Sequence, residues 1–152
     1  MSESFMRASQ QTLLLIAAFE GFSPRPYRCP AGLLTIGYGH VIGAGEAIDA
    51  ISESQGIQWL RRDVAQAEMA VARLITVPLR QHQFDALVSF TFNLGAGALQ
   101  RSALRRVVNR HAHDEVPAQL LRWVYGGGKK LPGLVRRRAA EGRLYASFSN
   151  VF

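Results

Sequence analysis

The chain has 152 residues, 48% hydrophobic and 19% charged, with a formal net charge of +7 at pH 7. That is the length of one domain, 1–152, able to bury roughly 70% of the surface its unfolded form exposes, and the composition excludes a disordered chain. The positive balance predicts attraction to polyanions, whether nucleic acid, anionic lipid or an acidic wall polymer, and does not choose among them. The single cysteine, Cys29, excludes an intramolecular disulfide and suits folding in a reducing compartment.

Residues 1–8 read as a flexible lead-in. Ser9 or Thr12 is placed to cap a helix whose positions Leu13, Ile16, Ala17 and Glu20 follow a 3–4 spacing. Gly21 is a stop, and Pro24 and Pro26 prevent continuation. The apolar run 13–19 is far short of the ~20 residues a membrane-spanning helix needs. It is followed by Glu20-Gly21-Phe22, unlike a signal-peptide cleavage site, so no targeting segment is expected. From Tyr27 to Ile48, β-branched and aromatic residues punctuated by glycine and proline predict two or three short antiparallel strands.

Ser52 opens a long helical pattern with apolar Ile57, Leu60, Val64, Ala67 and Val71, closed by Pro78. The stretch from Phe84 to Leu94 is apolar on most sides, which marks a buried central helix ended by Gly95 and Gly97. Three shorter helices are expected at Ser102–Asn109, Asp114–Tyr125 and Pro132–Ser147, with Gly126 to Lys130 as the most flexible internal linker. The sum is an α+β chain, mainly helical, with a small sheet lobe and a long connecting helix.

Within the sheet segment the chemistry concentrates in FEGFSPRPYRCPAGLLTIGYGH, residues 19–40. Glycoside cleavage needs one carboxylic acid to protonate the leaving oxygen and a second group to handle water or the anomeric carbon. Glu20, between Phe19 and Phe22 and at a helix end, sits where an apolar setting suits a proton donor. Taken by itself, such a glutamate is more often an ordinary solvated residue.

The arrangement Glu20, Cys29, Thr35, with FEGF before it and TIGYGH after it, resembles the catalytic pattern of phage-type, T4-lysozyme-like endolysins. The resemblance continues in FDALVSFTFNLGAG (84–97), RWVYGGGKKLPGL (122–134) and RRRAAE (136–141). It implies a lysozyme-like fold and hydrolysis of the β-1,4 bond between N-acetylmuramic acid and N-acetylglucosamine in peptidoglycan. Glu20 is then the general acid, and Thr35 helps hold the attacking water. Cys29 stands where aspartate is commoner, and three roles stay open: base, nucleophile, or a small structural residue. Arg25 and Arg28 beside it are expected to favour the thiolate.

The same resemblance places Gly32 and Leu33 in the loop lining the cleft, and Phe92 and Asn93 at the end of the core helix as substrate contacts. It also pairs His40 with Asp63. Three consecutive arginines, Arg136 to Arg138, fan over about 200° of a helix, so at least one points inward. The resemblance pairs an arginine here, Arg137 by preference, with acids near the first helix, Glu20 among them. His82, His111 and His113 form no metal-binding arrangement, and no cofactor is expected.

Partners follow as peptidoglycan glycan strands and the anionic envelope by charge, with no nucleic acid and a monomeric state. The family implies synthesis in the host cytoplasm and action in the periplasm after release by a holin. Competing readings are a basic wall-binding module without activity, a lytic transglycosylase, and membrane disruption by the basic segment 131–148.

Overall fold

The computed structural model describes residues 5–147. The first four residues of the expected lead-in, and Phe148 at the end of the basic segment, lie outside them. The chain is mainly helical with a small antiparallel sheet. It divides into two compact units, residues 10–65 and residues 66–152 together with 1–9.

In the unit 10–65, α1 (Gln10–Glu20) buries Leu13, Ile16 and Ala17 along one stripe. β1 (Ser23–Arg28), β2 (Leu34–Gly37) and β3 (His40–Val41) form an antiparallel sheet in that order. The register pairs Tyr27 with Thr35 and Thr35 with Val41, and β1 is irregular between Ser23 and Tyr27. Pro24 and Pro26 fall in that irregular stretch. Lacking amide hydrogens, they are confined to an edge strand, and β1 is one. The carbonyl of Pro24 instead accepts from Ile51 N at 3.0 Å.

The long helix α2 (Glu53–Leu74) begins in this unit and ends in the other. Its start is a reciprocal cap. Ser52 Oγ accepts from Gln55 N at 3.2 Å, and Gln55 Oε1 accepts from Ser52 N at 3.1 Å. Gly56 has a packing reason: a Cβ there would stand 3.0 Å from the Phe22 ring and 3.1 Å from Tyr38.

The second unit is built on α3 (Gln81–Leu94), buried from Phe84 to Thr91. It packs on α7 (Pro132–Ala146) and on α4 (Ala96–Arg101), with α5 (Ala103–Asn109) and α6 (Val116–Leu120) beyond. Arg7 and Ala8 are tied down rather than loose. Arg7 Nε lies 3.0 Å from Glu68 Oε1, and the Ala8 amide donates to the same buried carboxylate. An unpaired buried Glu68 would be costly, so these contacts hold the chain just before α1.

α2 ends at Leu74, within a residue of the segment expected ahead of Pro78, which has no amide to offer the Leu74 carbonyl; Arg105 Nε and Asn109 Nδ2 take that oxygen at 3.1 and 3.0 Å. Three local expectations need correction. The short helix α4 lies where glycines suggested only a stop. Gly95, at φ 92°, ends α3 and starts α4. The helix expected over Asp114–Tyr125 is a 3-10 turn, His113–Glu115, followed by α6 alone, since Pro117 withdraws one amide from the bonding. The linker Gly126 to Lys130 is a hairpin of β4 (Tyr125–Gly126) and β5 (Lys129–Lys130). Gly127 and Gly128, at φ 57° and 78°, supply the tight turn that residues with a Cβ resist. No helix among the described residues is long and apolar enough to cross a membrane.

Candidate active site

Glu20 is the last residue of α1 and is half-buried. The helix ends there because Gly21 turns into the left-handed region at φ 73°. The β2–β3 turn comes back against this carboxylate. Gly39, at φ 80°, lies so close that a Cβ on it would be 3.2 Å from Glu20 Oε2. The glycine of the TIGYGH motif thus lets backbone approach the acid.

Cys29 follows β1 and is half-buried. Its amide donates to Leu33 O at 3.0 Å, and Gly32 N donates back to Cys29 O at 2.8 Å, folding residues 29–33 into a closed loop. The loop turns its amides toward the sulfur. A hydrogen bond from the Leu33 backbone is the largest influence holding the thiol below its usual range, and the Ala31 backbone and Thr35 hydroxyl act the same way. Partial burial opposes them. The neighbouring arginines are not the cause. Arg28 is engaged instead with Gly32 O, at 2.9 Å. A carboxylate at this position could accept from the same amides.

Thr35 lies on β2, buried between Tyr27 and Val41 in the cross-strand row. Its Oγ1 donates to Leu33 O at 3.0 Å, and a hydroxyl can swing that proton to a neighbouring thiolate. Leu33 is 50% exposed, and Gly32, at φ 80°, is exposed at the loop tip. One unit therefore carries Glu20, Cys29, Gly32, Leu33 and Thr35 together.

His40 and Asp63 also share this unit. His40 Nδ1 is 2.9 Å from Asp63 Oδ2, and the ring lies 4.9 Å from that of Trp59. The contact fastens β3 to α2. At side-chain exposures of 23% and 31% it is a partly solvated pair. Asp63→Asn is expected to cost about 1 kcal/mol of stability and to leave the turnover number unchanged. A variant that melts normally but turns over slowly would instead give His40 a catalytic part.

Phe92 and Asn93 belong to the second unit, in the last turn of α3, both half-buried. Below them lies a charged cluster that sequence reasoning located only in part. Arg136 is exposed, whereas Arg137 and Arg138 are both buried. Arg137 Nε is 3.4 Å from Glu141 Oε2, and its Nη2 donates to Ser89 O at 3.2 Å. Arg138 Nε is 2.7 Å from Glu141 Oε1, and Nη2 donates to Asn93 Oδ1 at 2.7 Å. Ser89 Oγ donates to Glu141 Oε2 at 2.6 Å. The signal was present in RRRAAE, where Glu141 stands four residues after Arg137 and three after Arg138.

Trp123 packs edge-on to Phe90 at 5.6 Å, while Tyr125 is exposed. Among the described residues no cluster of histidine, cysteine or acidic side chains could hold a metal.

A family model described as phage lysozyme matches residues 17–141. The endolysin of Acyrthosiphon pisum secondary endosymbiont phage 1 is 37% identical over 146 residues, 93% of this chain and 99% of that one. The endolysin of Bacillus phage B103 is 38% identical over 142 residues, 92% of this chain but 54% of that one, so the chain spans about half of that relative. Among solved structures, the muramidase domain of SpmX from Asticaccaulis excentricus is 35% identical with a TM-score of 0.85, covering 93% of this chain and 98% of that one. The endolysin from Escherichia coli O157:H7 phage FAHEc1 is 34% identical with a TM-score of 0.84, covering 95% and 96%.

Proposed function

The chain belongs to the phage lysozyme family, a lysozyme-type hydrolase, and on that premise we propose that it hydrolyses the β-1,4 bond between N-acetylmuramic acid and N-acetylglucosamine in peptidoglycan. The observation that carries this reading is the grouping of Glu20, the Cys29 loop and buried Thr35 in one small unit, with the Gly39 backbone against the Glu20 carboxylate. Glu20 donates a proton to the leaving glycosidic oxygen. Cys29, as thiolate, acts on the attacking water as general base, and the Thr35 hydroxyl helps hold that water.

Mass spectrometry of digested peptidoglycan tests the reaction. Hydrolysis leaves a reducing muramic acid end, whereas a 1,6-anhydro end would make the protein a lytic transglycosylase. No product at all from pure peptidoglycan would leave a binding module.

The thiol makes its own prediction. A thiolate base is needed above its pKa, and the loop amides hold that pKa below the ordinary thiol range. Activity should therefore rise with pH through a point below the usual ~8.5 of a free cysteine. Cys29→Asp should keep a substantial part of the activity and move that rise down by several pH units, since a free carboxyl titrates near ~4. Cys29→Ala should lose about a hundredfold or more. Full activity in Cys29→Ala would make the thiol structural.

The family and the +7 charge support action on the anionic envelope by a monomer. We infer synthesis in the host cytoplasm and release to the wall through a separate holin.

A further inference from the structure

Outside the candidate active site, the second unit holds a pocket of about 420 Å3 lined by Gln100, Arg105, Arg106, Asn109 and Arg110. No acid is among those lining residues. Helical spacing gathers them. Arg105 and Asn109, like Arg106 and Arg110, stand one turn apart along α5 and its cap, while Leu104, Val107 and Val108 are buried.

Two of the side chains are fixed in place. Arg105 Nε donates to Leu74 O at 3.1 Å and Nη1 to Gln100 O at 3.2 Å, which leaves Nη2 without a partner among the described residues. Asn109 Nδ2 donates to Leu74 O at 3.0 Å, and its Oδ1 accepts from Thr76 N at 2.8 Å. The Arg106 side chain is exposed, with no hydrogen bond or ion pair among the described residues. Arg110 Nη2 lies 3.0 Å from Glu115 Oε2, but both side chains are more than half exposed, and so solvated a pair yields readily to a stronger anion.

Like charges one helical turn apart repel, at some cost to the helix, and an anion in the pocket removes that repulsion. A planar carboxylate matches a single guanidinium fork, whereas a tetrahedral phosphate presents oxygens to two guanidiniums at once. We propose that this pocket binds a phosphate ester, with Arg105 as the fixed fork, Arg106 as the free one that closes on the anion, and Arg110 as a third charge. It gives the protein a hold on phosphate-bearing partners, and the binding does not depend on the reaction proposed above.

Calorimetric titration of the full chain with inorganic phosphate, at constant ionic strength, is expected to show saturable binding at a single site, and acetate should bind far more weakly. Arg106→Gln should weaken phosphate binding about tenfold, because it removes a charge-assisted contact from an otherwise unengaged side chain, with the melting temperature held. Arg105→Lys keeps the charge but loses the fork and should weaken binding severalfold. Arg136→Gln, at an exposed arginine that does not line the pocket, should leave binding unchanged. A second arm sediments the protein with phosphatidylcholine vesicles, with and without phosphatidic acid. Capture by phosphatidic acid that Arg106→Gln abolishes assigns the phosphate to a lipid headgroup, and phosphate binding without such capture assigns it to a soluble ester. If Arg105→Lys fails to fold, the comparison of Arg106→Gln with Arg136→Gln decides alone. Absence of saturable phosphate binding, or equal binding of acetate, would overturn the proposal. So would an Arg136→Gln protein weakened as much as Arg106→Gln, since the attraction would then be diffuse charge.

Discussion

Glu20→Gln is expected to reduce the clearing of purified peptidoglycan by about a thousandfold, within the range a general acid contributes, with the melting temperature unchanged. The amide has the size of the carboxyl and ends the same helix beside Gly21 and Gly39, so packing in the unit is preserved. What it lacks is a proton acidic enough to give to a leaving sugar oxygen. Turbidity loss of purified walls measures the rate, and thermal melting measures the fold. Undiminished lysis by a folded Glu20→Gln protein would remove the acid from the mechanism. A loss of lysis matched by a loss of folding would call for Glu20→Asp, which keeps the acid while shortening its reach.

The second large effect concerns stability. Glu141→Gln is expected to destabilise the protein by about 3–5 kcal/mol, because it leaves the buried Arg138 guanidinium without its carboxylate. For a chain of this size that lowers the melting temperature by on the order of 10 °C. Burial is the largest influence on both members of the closest pair, pushing the Glu141 carboxyl up and the Arg138 guanidinium down. Desolvation thus outweighs attraction at each end, the condition in which an ion pair adds little beyond a well-packed apolar pair. Replacing both, as Arg138→Met with Glu141→Leu, should recover much of the stability that Glu141→Gln loses, while leaving Asn93 unanchored. Calorimetric melting of both variants checks this. A Glu141→Gln protein that melts like the original would show that the cluster contributes nothing to the fold.

The elements with strong local signals were legible. The capped start at Ser52, the apolar α3 and the glycine-punctuated strands each rest on interactions within a few residues. Short elements were not. α4 and the β4–β5 hairpin depend on Gly95, Gly127 and Gly128 taking positive φ, and glycine in a sequence marks freedom rather than direction. The partners of the last α2 carbonyl, Arg105 and Asn109, are side chains over thirty residues away.

The candidate site divides the same way. By itself, the sequence determined that an acid, a thiol and a hydroxyl stand at a spacing that resembles the phage lysozyme pattern, because spacing and residue type are local properties. Only the tertiary structure decided that loop amides rather than arginines stabilise the Cys29 thiolate, since those amides converge when residues 29–33 close on themselves. It also decided which arginines enter the core. Three in a row cover most of a helix surface, and the packing of α7 on α3 turns Arg137 and Arg138 inward and leaves Arg136 in solvent. Burial is a property of what a helix meets, so the anchor beneath Asn93 became visible only where two helices distant in sequence came together.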